Sequence, residues 1–277
     1  MRKLLSANFS RLRKSKIFWL LLAGVFLFSL VTIWSAARSA ETMESNGFIR
    51  SLDDYYFDQA PYMGIFYAVF ISMFLGTEYS DGTMRNKLVV GHVRGHVFFA
   101  NFLTCFAACL ALAAMWILGN APGRFLIGPF EMGLGGFATY LLVVVGFTAV
   151  YAAVFTFISS LSSSRAATVL LTMGTWLLLV FLASMVNDRL CESEMSGGMA
   201  YIDGAFKMID PTPNPLYLGG KVRTFFECIL DLLPSGQSIL MHDASITHPA
   251  RQVIFSVLVT VLILAGGMAA FRKKDIK

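Results

Sequence analysis

Six stretches of 19 or more residues carry no Asp, Glu, Lys or Arg at all: 17–37, 59–77, 97–123, 132–164, 166–187 and 252–271. At 1.5 Å per residue, about 20 residues cross the roughly 30 Å hydrocarbon core of a bilayer, so each stretch is long enough to span it. A backbone in lipid must satisfy its own hydrogen bonds, which leaves helices as the way to cross with segments of this length. The pattern predicts an all-α polytopic membrane protein, a single transmembrane domain over 1–277. Its six transmembrane helices are expected near 17–37, 60–76, 97–118, 136–158, 166–186 and 252–271. Pro61 narrows the second apolar run but is tolerated in a helix's first turn. Only 14% of the 277 residues are charged, against the roughly 25% usual for soluble domains, which excludes a soluble class.

The charges between the spans orient them. The amino terminus, the second and fourth connections and the carboxyl terminus hold 14 Lys and Arg, and the other, longer connections hold 8. The positive-inside rule then places both termini in the cytoplasm. The net charge of +5 is scattered in short segments rather than gathered on one surface, so no nucleic-acid partner is expected. Arg2, Lys3, Arg11, Arg13, Lys14 and Lys16 precede the first apolar run as in a secretory leader. That run exceeds the 7–15 residues of a leader's apolar core, and it is read as an uncleaved anchor.

The connection 76–95 is the most informative. Asp81 can cap a short helix opened by Gly82 and Thr83, with Arg85 and Lys87 before Leu88, Val89 and Val90. The pattern fits a short amphipathic helix on the inner membrane surface suited to receiving force from a soluble partner, or a basic loop held to anionic lipid. Glu78, at the end of the second span, can cap, pair with an Arg or meet a partner. A proton relay fits poorly, because no other acidic residue lies within a span.

The outer connections differ in kind. Segment 38–58 mixes Glu41, Glu44, Asp53, Asp54 and Asp58 with Phe48, Ile49, Tyr55, Tyr56 and Phe57, which suits an interfacial belt or a solvated connector. The serine-rich 159–165 turn makes the fourth and fifth spans an antiparallel hairpin. The long external loop 188–251 predicts a helix near 221–233 with Phe225, Phe226, Ile229, Leu230 and Leu233 as its apolar side. Cys105 and Cys109 share a face of the third span as packing residues; Cys191 and Cys228 lie in the outer loop, where a disulfide is permitted but not specified.

Catalytic signatures are missing. His92, His96, His242 and His248 fall in separate loops without a ligand set. Pro234, Ser235 and Gly236 do not make a nucleophile elbow, and Gly219, Gly220 and Lys221 do not make a phosphate-binding loop. No enzyme activity, metal or cofactor is expected, and any work against a gradient must draw on an ion or another subunit. Spans lined by hydroxyls, aromatics and backbone offer little to coordinate a coupling ion. They suit an amphiphilic cargo or conformational coupling to an external motor.

Several stretches together resemble the membrane subunit of a bacterial ABC exporter of the ABC-2 permease type, particularly the six-span subunits of antibiotic-peptide, lantibiotic or sodium export. These are the basic run from Arg11 to Phe18, the stretch Phe74 to Leu88 with Glu78, Tyr79, Asp81, Thr83, Arg85 and Lys87, then Gly91, Arg94, Arg165 and the Asn214–Tyr217 turn. The resemblance implies a bacterial plasma-membrane permease paired with cytoplasmic ABC ATPase subunits and a second permease subunit, identical or different. It also implies a cytoplasmic coupling helix in 80–95 that docks on the ATPase, and Glu78, Tyr79, Asp81, Thr83, Arg85, Lys87 and Arg94 as the coupling residues. The ATPase would hydrolyse ATP, and membrane lipid surrounds the spans. A non-transporting membrane anchor and an ion-coupled carrier are the competing readings.

Overall fold

Ser15 breaks what would otherwise be one amino-terminal helix. It ends α1 (Arg2–Lys14) in extended backbone, and its hydroxyl accepts from Phe18 N at 3.4 Å to start α2 (Lys16–Ser45). The computed structural model describes residues 1–46, 51–162, 164–202 and 205–274. Of the residues singled out above, Phe48 and Ile49 of the 38–58 segment and Ser163 of the serine turn lie outside these. After α2 come α3 (Asp53–Tyr56), α4 (Ala60–Ser80), α5 (Thr83–Val89), α6 (Arg94–Asn120) and α7 (Gly123–Leu126). The chain continues through α8 (Gly133–Leu161), α9 (Arg165–Cys191), the strands β1 (Met195–Ile202) and β2 (Ala205–Pro213), α10 (Gly220–Leu232), α11 (Pro234–His242) and α12 (Pro249–Lys273).

Six of these helices, α2, α4, α6, α8, α9 and α12, are long and apolar enough to cross a membrane. The fold is therefore an all-α, six-span membrane bundle. An even number of crossings puts both termini at one end, here the terminal face, with α1, α5 and the α8–α9 turn; the other end is the distal face. At least half of the most apolar stretch is buried in the spans built on α4, α6 and α8, against 11% in α9. The first three form the centre, and α2, α9 and α12 pack outside them on α6, α4 and α8 respectively. The core is aromatic, with Tyr67, Phe70, Trp116, Phe147, Tyr151 and Phe155 buried and Tyr67 hydrogen-bonded to the Thr148 hydroxyl at 3.1 Å.

Two features depart from the expected loops. The serine turn does join antiparallel helices, with Ser164 capping α9 by accepting from Ala167 N at 3.2 Å. However, α9 lies mainly against α4, because Gly64 opens a slot in which Trp176 seats; a Cβ on Gly64 would fall 2.4 Å from the indole. The distal segment after α9 is also more structured than a single amphipathic helix. It forms an antiparallel hairpin pairing Met195 with Pro213 through Ile202 with Ala205, then α10, then α11. Pro234 starts α11 at a position where its missing N–H costs nothing. Helix α11 is almost wholly buried between α4, α8, α9 and α10 and plugs the distal end of the bundle.

Candidate functional site

At the terminal face the chain leaves α4 through a tight turn. Asp81 N–H still bonds to Thr77 O at 3.0 Å, then Gly82 takes φ +65° and starts α5. The cap position therefore belongs to Gly82 rather than Asp81. The left-handed conformation that reverses the chain there is one a side chain rarely adopts. Met84 anchors α5 inward, in an apolar cluster with Leu4, Val97, Phe98 and Phe271.

Beside this anchor sits a buried polar lattice centred on Glu78, whose carboxylate is fully buried. It pairs with Arg11 of α1, and with Lys87 of α5 at 2.5 Å. Its other oxygen accepts from Asn101 Nδ2 of α6 at 3.2 Å. Asn8 of α1 closes the ring, donating to Asn101 Oδ1 at 2.8 Å and accepting from Lys87 Nζ at 3.0 Å. Arg11 also donates to Phe74 O at 3.0 Å and lies over the Phe74 ring, 3.8 Å from its centre. One carboxylate thus joins α1, α4, α5 and α6, and two partly exposed cations offset the cost of burying it.

The residues expected to act together in coupling divide into three groups. Glu78 and Lys87 turn inward, and Thr83 Oγ1 donates to Glu78 O at 3.2 Å, stitching the turn. Arg94 serves another helix: its guanidinium donates to Arg272 O at 3.1 Å and to Lys274 O, capping the carboxyl end of α12. Lys274 in turn donates to Ser160 O at 3.1 Å and Ser162 O at 2.7 Å at the end of α8, and its burial lowers its pKa from the ordinary lysine value. Asp81 and Arg85 face outward, and Tyr79 occupies the last turn of α4. The outward surface of α5 and the bend after it is apolar as well as basic, because Val89, Val90 and Val93 are 78%, 77% and 57% exposed beside Arg85.

Asn8 and Asn101 were not anticipated from sequence, and each left a signal. Asn8 interrupts an apolar stripe at four-residue spacing, with Leu4 and Leu12 buried on either side of it. Asn101 is an amide inside an uncharged span, a setting where a polar group needs a partner. The Asn214–Tyr217 turn has local work instead. The Asn214 amide donates to Glu192 Oε2 at 2.9 Å and Ser193 O at 3.0 Å, and its oxygen accepts from Leu216 N at 2.9 Å, closing the base of the hairpin. Cys191 and Cys228 are free thiols, as are Cys105 and Cys109. Among the described residues no three His, Cys, Asp or Glu side chains converge as a metal site would require.

No curated protein matches the chain. The family model described as "ABC-2 family transporter protein" matches residues 4–176. That interval contains the whole Glu78 lattice, α5 and the serine turn; the distal hairpin, α10, α11 and α12 follow it. The match covers more than half of the chain, which therefore belongs to the ABC-2 family of transporter proteins as a non-catalytic membrane permease.

Proposed function

We propose that the chain is the transmembrane subunit of an ATP-driven exporter, with α5 and the bend that follows it as the docking surface for a separate cytoplasmic ABC ATPase. The observation that carries this reading is the pairing of an exposed ridge with a buried lattice. Arg85, Val89 and Val90 face out, while Lys87 on the same helix is held to Glu78, and through it to α1, α4 and α6. A push on α5 reaches three helices through charge-assisted hydrogen bonds rather than dissipating in a loop. An apolar ridge at the water boundary also suits a protein partner better than solvent alone.

In this reading both termini and α5 lie in the cytoplasm of a bacterial plasma membrane, as the distribution of Lys and Arg suggests. Two permease subunits, identical or different, face each other, and the cargo path runs between them. Within such an assembly Glu78 and Lys87 transmit force, Asp81 and Arg85 touch the ATPase, and Arg94 steadies α12 beside the coupling segment. An amphiphilic cargo suits helices lined by hydroxyls and aromatics.

The test is affinity purification of the tagged chain from its native membranes, with mass spectrometry and an ATPase assay. A stoichiometric chain carrying an ATP-binding motif is expected, and Arg85→Glu or Val89→Asp should release it without lowering the permease's own melting temperature. A clean preparation with no such chain would overturn the proposal and favour a carrier or an anchor.

A further inference from the structure

The distal face holds a second built feature, a cavity of about 170 Å3 between the end of α9, the side of α10 and the start of α12. That is room for several waters or one small polar head group. Its walls carry two cations and two anions, Arg223, Glu227, Asp231 and Arg251, set among apolar surfaces such as Leu190 and Leu230. Asp231 is fully committed. One oxygen accepts from Arg251 Nε at 2.5 Å and from a second Arg251 nitrogen, and the other accepts from Gln252 Nε2 at 2.7 Å. The Asp231 side chain is 2% exposed, so this pair is a fixed part of the wall.

Arg223 and Glu227 are less committed. They meet at 3.2 Å through Arg223 Nε and one Glu227 oxygen, which leaves the terminal nitrogens of Arg223 and the second carboxylate oxygen of Glu227 for another partner. The four charges sum to zero, so the cavity does not select an ion of one sign; it matches a group that carries both.

The setting fixes the depth. Helix α9 ends at Cys191 and α12 begins at Pro249, so the cavity lies where two spans meet the distal water boundary. On α10 a separate stripe, Val222, Phe225 and Leu232, is exposed and apolar. An amphipathic helix with such a stripe lies in the interface with its apolar side among the acyl chains. Its charged side, which lines the cavity, is then held at head-group level.

We propose that this cavity binds the zwitterionic head group of a phospholipid from the distal leaflet, the phosphate on the free nitrogens of Arg223 and the ammonium on Glu227. The site is independent of any partner ATPase. It is tested by native mass spectrometry of the full-length chain in detergent, with equimolar phosphatidylethanolamine and phosphatidylglycerol of identical acyl chains. The wild-type chain should retain phosphatidylethanolamine over phosphatidylglycerol by about tenfold, and the Arg223→Gln, Glu227→Gln double variant should fall to parity. That ion pair is partly exposed, so its loss should leave the melting temperature nearly unchanged. Lys221→Gln, exposed on the same helix outside the cavity, should keep the preference. Parity in the wild type, a preference for the anionic lipid, a double variant that behaves as wild type, or an equal loss in Lys221→Gln would each overturn the proposal.

Discussion

Replacing Glu78 by Gln keeps the shape of the side chain and removes the one negative charge that Arg11 and Lys87 share. The Glu78 carboxylate is fully buried, while Lys87 is 17% and Arg11 33% exposed. Breaking a buried pair by removing one partner costs about 3–5 kcal/mol, because the remaining charge stays desolvated. Both cations here keep some water, which places the expected loss near the lower end, about 3 kcal/mol. At about 2–4 °C per kcal/mol for chains somewhat shorter than this one, the melting temperature in nanodiscs should fall by about 6–12 °C. The companion variant Lys87→Met leaves Glu78 with Arg11 and Asn101, and should cost less. Combining it with Glu78→Gln should cost less than the two losses added, because the double variant no longer strands the Lys87 charge. The lattice also holds α1 down, so Glu78→Gln should speed tryptic cleavage at Arg13 and Lys14. A melting temperature within about 1 °C of wild type, or strictly additive losses, would refute the assignment of the lattice as the joint between α1, α4, α5 and α6.

Four further outcomes follow from other contacts. Gly64→Ala places a Cβ 2.4 Å from the Trp176 ring, and should cost about 1–3 kcal/mol, read as a lower melting temperature and a changed tryptophan emission. Asp53 of α3 ties down the chain just before α8, accepting from Glu131 N at 3.1 Å and Met132 N at 2.7 Å, so Asp53→Ala should cost about 1 kcal/mol and raise hydrogen exchange at those two amides. Arg94→Gln uncaps α12, and faster exchange confined to its last turn would separate this structural role from a direct part in ATPase coupling. A membrane-impermeant maleimide applied to intact cells should label the exposed Cys191 and leave the buried Cys105 and Cys109 unmodified. Labelling of Cys191 only after lysis would reverse the orientation argued from the basic residues.

Hydropathy made the six spans legible because length and the absence of charge report directly on the cost of placing a group in hydrocarbon. That cost depends on each segment alone. The same logic exposed 76–95 as an unusual connection, since a basic amphipathic segment stands out between two uncharged ones. It did not tell which of that segment's charges face inward. Glu78, Lys87 and Arg94 look alike in sequence, as charges near a span end, yet one is the fully buried centre of a lattice, one its partner and one the cap of a helix nearly 180 residues away.

Sequence alone therefore determined that this chain is a six-span membrane protein, where its basic segments lie, and which family its terminal-face motifs resemble, because each of these follows from local transfer energies or contiguous residues. Tertiary structure decided the rest. It brought Asn8, Arg11, Glu78, Lys87 and Asn101 into one lattice, seated Trp176 against Gly64, and folded the distal segment into a hairpin, a buried plug and a charged cavity. Within the lattice the contacts join residues from 9 to 93 positions apart, and the Trp176 indole reaches Pro61 O, 115 positions away. Their free energy comes from pairing charges and filling volume across helices, and no property of a single segment carries that information.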